Sequence, residues 1–170
     1  EERLRDGELD TFIGRVSPKS KGTDIQVRDY QMAALDYAIR NNRSLLLSPT
    51  ASGKSLIIYI LSVWYAAKTE SNILILVPTT SLVEQMYSDF VDYGFKESMM
   101  QKIYQGHSKN ITKPITISTW QSVYKMQKKW FDQFSTILGD EVHIFKSKSL
   151  TGIMNKMVNC KYRHGFTGTL

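Results

Sequence analysis

The five residues Ile73-Leu74-Ile75-Leu76-Val77 are apolar without a break and rich in β-branched side chains. A strand with one wet face alternates polar and apolar residues, so an unbroken run belongs to a sheet covered on both sides. Shorter β-type runs recur at Ser44 to Leu47, Gln101 to Tyr104, Ile115 to Ser118, Thr136 to Leu138 and Arg163 to Phe166. Helical spacing fills several of the gaps. Ser55 to Lys68 is one such segment, and Leu82, Met86, Phe90 and Tyr93 define one face of another. Upstream, Tyr30, Ala33, Ala34, Tyr37 and Ala38 mark a helix that ends at Asn41-Asn42. The alternation predicts an α/β fold whose mainly parallel sheet is flanked by helices.

A chain of 170 residues suits one compact domain with a full core. Residues 1 to 24 are charged and contain the loop-like run Ser17-Pro18-Lys19-Ser20-Lys21-Gly22, so they read as an N-terminal linker or the end of an upstream domain. The domain proper is expected over residues 25 to 170. The start Glu1-Glu2-Arg3-Leu4 has neither the basic start nor the apolar core of a signal peptide, and no apolar run is long enough to span a bilayer. A single cysteine, Cys160, excludes an internal disulfide, and the expectation is a protein of the cytoplasm without a membrane partner. Lysine and arginine outnumber acids by 22 to 16, giving a charge of +6. That favours a polyanionic partner without identifying one.

Ser48-Pro49-Thr50-Ala51-Ser52-Gly53-Lys54-Ser55 lies between the apolar run Leu45-Leu46-Leu47 and a helix that begins Leu56-Ile57-Ile58. This is the context of a Walker A loop. Amides of Thr50, Ala51, Ser52 and Gly53 at a helix start can face phosphate oxygens, Lys54 can neutralise the β and γ charge, and Ser55 can offer its hydroxyl to Mg2+. The pattern's first glycine is Ser48 here, while Gly53-Lys54-Ser55 is intact. Downstream, the run Phe134 to Gly139 leads into Asp140-Glu141-Val142-His143. Carboxylates at a strand's carboxyl end suit metal holding by Asp140 and water activation by Glu141. Either motif alone has a bland reading, a helix-start turn or a solvated strand end. In this order they complete one another as an ATP and Mg2+ site.

With these residues in place the chain resembles the first RecA-like domain of superfamily 2 helicases, in the group whose motif II has the DExH form, written DEVH here. Within that group it is similar to the phage UvsW-type recombination helicases. The resemblance runs from Ile25 to Leu170 and implies further roles. Arg28-Asp29-Tyr30-Gln31 resembles the Gln motif, which implies that Gln31 recognises the adenine edge. Val77 to Gln85 looks like motif Ia, with Thr79 and Thr80 implied on nucleic-acid phosphates; the plainer reading is a helix cap at Thr80 or Ser81 completed by Glu84. Ile117 to Ser122 is similar to motif Ic, implying Thr119 as a further phosphate contact, and Gln105-Gly106-His107 corresponds to the weaker Ib region at Gly106. Phe166-Thr167-Gly168-Thr169 stands in the place of motif III, and the resemblance implies that His143, Thr167 and Thr169 couple γ-phosphate to the nucleic-acid face.

The implied activity is an ATP-hydrolysing DNA helicase or translocase acting on single-stranded or branched DNA in recombination or fork repair. A second RecA-like domain of the same parent would be needed for turnover, so residues 1 to 170 alone are expected to hydrolyse ATP hardly at all. A P-loop phosphotransferase and a non-catalytic nucleic-acid-binding fragment are the alternatives. Trp64, Trp120 and Trp130 read as packing rather than base-stacking residues, and Lys125, Lys128 and Lys129 as a solvated helix end.

Overall fold

The computed structural model describes residues 7–48 and 53–168. Eight strands appear in it. β1 (Lys19–Ser20) and β2 (Thr23–Asp24) form a small antiparallel hairpin. β3 (Arg43–Leu47), β4 (Asn72–Val77), β5 (Met100–Ile103), β6 (Ile115–Thr119), β7 (Phe134–Gly139) and β8 (Tyr162–Thr167) form one sheet in the order β3-β8-β7-β4-β6-β5. Every neighbouring pair in that sheet is parallel.

The helices are α1 (Glu8–Val16), α2 (Asp29–Arg40), α3 (Lys54–Thr69), α4 (Thr80–Tyr93), α5 (Trp120–Val123), α6 (Lys128–Phe131) and α7 (Ser147–Lys156). Residues of α1 to α4 pack in one core with Ile73, Ile75 and Val77. Residues of α5 to α7 pack in a second core with Leu74 and Leu76. The unbroken apolar run of β4 is thus divided by the pleat, odd residues to one core and even residues to the other. Connections that travel from β3 towards β5 (α3, α4) lie on the first face, and those that return towards β3 (α5 with α6, α7) lie on the second. This is the separation that right-handed crossovers require.

Two local expectations need correction. Where the sequence suggests a charged tether before residue 25, the structure has α1 and the β1-β2 hairpin. Leu9 is buried in the first core, Phe12 meets the Trp64 ring edge-on at 5.0 Å, and Lys68 pairs with Glu8 across to α3. The hairpin is fastened by Lys21 N–H to Asp92 at 2.9 Å. The apolar stripe of α1 is short and was masked by its charged neighbours. The second correction concerns the cap of α4. Thr79, one residue earlier than expected, accepts the Leu82 N–H at 3.2 Å, while Glu84 turns away to Lys102 (3.1 Å) and the Tyr104 hydroxyl (2.6 Å). With the start shifted, Glu84 no longer reaches the cap.

Candidate nucleotide site and nucleic-acid face

Because all six strands are parallel, their carboxyl ends share one edge of the sheet. There β3 delivers Ser48, β7 delivers Asp140, β8 delivers Thr167, β4 delivers Thr79 and β6 delivers Thr119. Ladder-end bonds fix the level of two of them: Ser48 N–H donates to Thr167 O and Asp140 N–H to Leu76 O, each at 2.8 Å. Open α/β sheets bind ligands at this edge, where the direction of winding reverses.

Gly53 ends the described part of the phosphate loop in a left-handed conformation, φ 84°, and α3 starts at the next residue. A Cβ there would lie 2.1 Å from Gln31 Nε2, so glycine is required both by φ and by the close approach. Gln31 is buried and both ends of its amide are used. Its oxygen accepts the Arg28 N–H at 2.9 Å and its nitrogen donates to Gly53 O at 3.1 Å. The residue expected at adenine therefore ties the start of α2 to the phosphate loop in this structure. Thr50, Ala51 and Ser52 lie outside the described residues.

Lys54, the first residue of α3, reaches two strands across to the acidic pair. Its Nζ is 2.8 Å from Asp140 Oδ1 and also pairs with Glu141 Oε1. Burial acts to lower the ammonium's pKa, but the hydrogen bonds and charges of Asp140 and Glu141 outweigh it and hold the pKa above its ordinary value. Asp140 is buried, and that burial raises its pKa against the opposing pull of Lys54. Gly139 lets the chain turn here, since a Cβ would meet Val142 Cγ1 at 2.5 Å. Glu141 has φ 51°, a left-handed conformation uncommon for a residue with a side chain. That turn brings the carboxylate back over Lys54 and opens the 3-10 turn Val142–Ile144.

His143 continues the chain of contacts. Its Nε2 is 3.4 Å from Glu141 Oε2 and its Nδ1 is 2.7 Å from Thr167 Oγ1. Lys54, Glu141, His143 and Thr167 are thereby joined in one polar path from α3 through β7 to the end of β8. Thr169 lies outside the described residues. Ser55 is placed differently from Lys54: its hydroxyl shares a 2.6 Å hydrogen bond with the Tyr93 hydroxyl, at the far end of α4. No spacing in the sequence signals that pairing, because 38 residues separate the two.

On the same edge, Thr79 and Thr80 are exposed at the start of α4, and Gly106 is exposed with φ 89° in the loop after β5. Thr119 is only 6% exposed and its hydroxyl bonds Ser122 Oγ at 2.7 Å. The exposed Gln121 beside it donates to Pro78 O at 2.9 Å and joins the two segments. All three tryptophans are buried, as a packing role requires.

The site could hold a hard divalent cation. Its donors are the Asp140 and Glu141 carboxylates with a serine hydroxyl near the loop, and the paired carboxylates already hold a cation, the Lys54 ammonium. Among the described residues no three His, Cys, Asp or Glu side chains form a metal cluster. Mg2+ suits such a poor protein cage, because it takes one or two carboxylates and completes its shell with phosphate oxygens and water.

A lysine at the head of a helix, facing an acidic pair at the end of a parallel strand, defines a P-loop NTPase domain of the RecA-like type. The chain belongs to the ResIII family, described as the res subunit of type III restriction enzymes, whose model matches residues 24–170. It is 37% identical to the ATP-dependent DNA helicase uvsW of Enterobacteria phage T4 over 174 residues, covering 99% of this chain and 35% of that protein. The DNA 3'-5' translocase XPB2 of Sulfurisphaera tokodaii is 29% identical, with 85% of this chain and 31% of the relative covered. The chain thus spans about a third of the length of these curated relatives. A crystal structure of the UvsW helicase from bacteriophage T4 superposes with a TM-score of 0.92 at 36% identity, covering all of this chain and 62% of the other. The Pyrococcus furiosus Hef helicase domain shares the fold at a TM-score of 0.70 and 21% identity, over 85% of this chain and 33% of that one. The fold is that of the first RecA-like domain of superfamily 2 DExH helicases.

Proposed function

We propose that residues 25 to 170 are the first motor domain of an ATP-dependent DNA helicase or translocase of the cytoplasm, acting on branched DNA in recombination or fork repair. The observation that carries this reading is the continuous polar path from Lys54 through Glu141 and His143 to Thr167. It links the nucleotide side of the site to the strand end that leads towards the nucleic-acid face. Likeness to a phage ATP-dependent DNA helicase supports DNA as the substrate.

In the proposed cycle the Lys54 ammonium leaves the acidic pair and takes the β- and γ-phosphate oxygens of ATP. Asp140, freed of its counter-ion, would hold Mg2+ directly or through water, and Ser55 would turn its hydroxyl from Tyr93 to the same ion. Bound there, the metal neutralises phosphate charge. The Glu141 carboxylate orients the attacking water and accepts its proton as the water oxygen bonds to the γ-phosphorus and the bond to the β-phosphate oxygen breaks. Loss of γ-phosphate lets Lys54 return to Glu141. His143, in contact with both Glu141 and Thr167, carries that change towards motif III. Thr79, Thr80, Gly106 and the Thr119 segment hold the DNA backbone, a sequence-tolerant and salt-sensitive grip. The second RecA-like domain of the parent supplies the opposite wall of the nucleotide cleft.

The test is ATP hydrolysis by the full-length protein with single-stranded, duplex, forked and RNA cofactors compared side by side. Stimulation by DNA, strongest on forked substrates, is expected. Hydrolysis indifferent to every nucleic acid would contradict the motor reading and favour a phosphotransferase.

A further inference from the structure

Lys54 and Ser55 are neighbours at the start of α3, yet their side chains leave in different directions. Lys54 reaches across to Asp140 and Glu141, while the Ser55 hydroxyl is turned to α4 and shares a hydrogen bond with the Tyr93 hydroxyl at 2.6 Å. Both residues of that bond are half-buried. A hydroxyl drawn out of water needs a protein partner, and each of these two supplies the other's. Burial, helped by Asp89 and Asp92, holds the Tyr93 pKa above its ordinary value against the opposing pull of the Ser55 hydrogen bond. Tyr93 therefore stays a neutral hydroxyl near pH 7 rather than a phenolate that could take a cation itself.

The tyrosine is held in place from several sides. Its ring lies 5.2 Å from that of Tyr59, one turn beyond Ser55 on α3. Tyr59 in turn meets Phe90 at 5.0 Å and Phe95 at 5.9 Å. Directly after Tyr93, Gly94 ends α4 with φ 110° and gives its N–H to Phe90 O and Val91 O, and the chain folds back to bring Phe95 onto Tyr59. Directly before it, Asp92 accepts the Lys21 N–H at 2.9 Å and the Ser20 hydroxyl at 3.2 Å. A serine side chain, by contrast, changes direction by one rotation about χ1. When Ser55 turns to a metal ion, Tyr93 is not free to follow, and the bond between them breaks.

We propose that Tyr93 is a positioning residue for metal binding: its hydroxyl holds the Ser55 hydroxyl away from Mg2+ in the empty site and takes it back when the metal leaves. It rests on the nucleotide-site reading above and goes beyond it, because the phosphate-loop motif includes no residue 38 positions downstream of its serine. The consequence is that Mg2+ and ADP are held less tightly than the phosphate loop alone would hold them, which favours their release after each turnover.

The test uses the full-length protein and a fluorescent ADP, titrated once with Mg2+ and once with EDTA. Tyr93→Phe keeps the ring and its contact with Tyr59 and removes only the hydroxyl. It should bind ADP about three- to tenfold more tightly than the wild type in Mg2+, the effect of one competing hydrogen bond, and equally in EDTA. Ser55→Ala should lose most of the gain that Mg2+ brings, and adding Tyr93→Phe to it should change nothing further. Affinity in Mg2+ that equals the wild type or falls below it overturns the proposal. So does an effect of Tyr93→Phe that persists without Ser55, or a shift of equal size in both titrations, which would mark a structural role. A wild-type protein that binds ADP no better with Mg2+ than with EDTA removes the metal-site reading and the proposal with it.

Discussion

Among the described residues of the candidate nucleotide site, Gly53 and Glu141 adopt left-handed conformations. Gly53→Ala would place a methyl group against the doubly bonded Gln31 amide and strain φ as well. A loss of about 2 kcal/mol or more is expected from these effects together. The added variant Gln31→Ala should recover part of it by removing the contact, though not the φ strain. Urea unfolding and nucleotide titration of the single and double variants would check this; a neutral Gly53→Ala would refute the placement. His164 offers a prediction in pH. Burial lowers its pKa to about 4, and its ring is bonded to Ser44 Oγ at 2.6 Å and to the Tyr65 hydroxyl at 2.8 Å. The folded protein refuses a proton that the unfolded chain accepts near pH 6.5. Stability from this residue is therefore complete above pH 6.5 and falls away as the pH drops towards 4, by about 3 kcal/mol in all. His164→Gln should flatten that part of a stability-versus-pH curve; an unchanged slope would show that the ring titrates normally.

At the scale of elements, α4 makes a clean separation between folding and binding. Thr79 caps the helix, and its exposed hydroxyl also stands at the proposed DNA face. Thr79→Ala should cost about 1 kcal/mol of stability. Thr79→Asp should keep the cap yet repel phosphate, so thermal stability stays near the wild type while DNA affinity drops. If both variants bind DNA normally, motif Ia acts through backbone amides alone. The six main strands and the three longest helices were legible because periodicity reports burial directly: β4 is apolar and buried on both faces from Ile73 to Val77. Lys54, Asp140 and Glu141 were legible because their motifs are local in sequence. The Ser55–Tyr93 hydrogen bond, the Gln31–Gly53 contact and the left-handed Glu141 were not, since each depends on packing between elements far apart in the chain. The helix α1 was hidden for a related reason, its few apolar residues being informative only against the surface of α3.

On the scale of the whole molecule, the parallel sheet gathers six strand ends at one edge, and in the proposed cycle this placement makes a nucleotide response available to the proposed nucleic-acid face. That coupling should be separable from chemistry. Thr167→Ala breaks the 2.7 Å contact to His143 at the end furthest from the acidic pair. In the full-length protein it should leave basal ATP hydrolysis within a few-fold of wild type and depress the stimulation by DNA about tenfold or more. Equal losses of both would move Thr167 into the hydrolytic site. The central claim is that Lys54 serves ATP while the strand-end face serves DNA, and full-length Lys54→Ala addresses it directly. ATP hydrolysis in the presence of forked DNA should fall to background while DNA affinity stays at the wild-type value; turnover that survives the substitution unchanged would contradict the account.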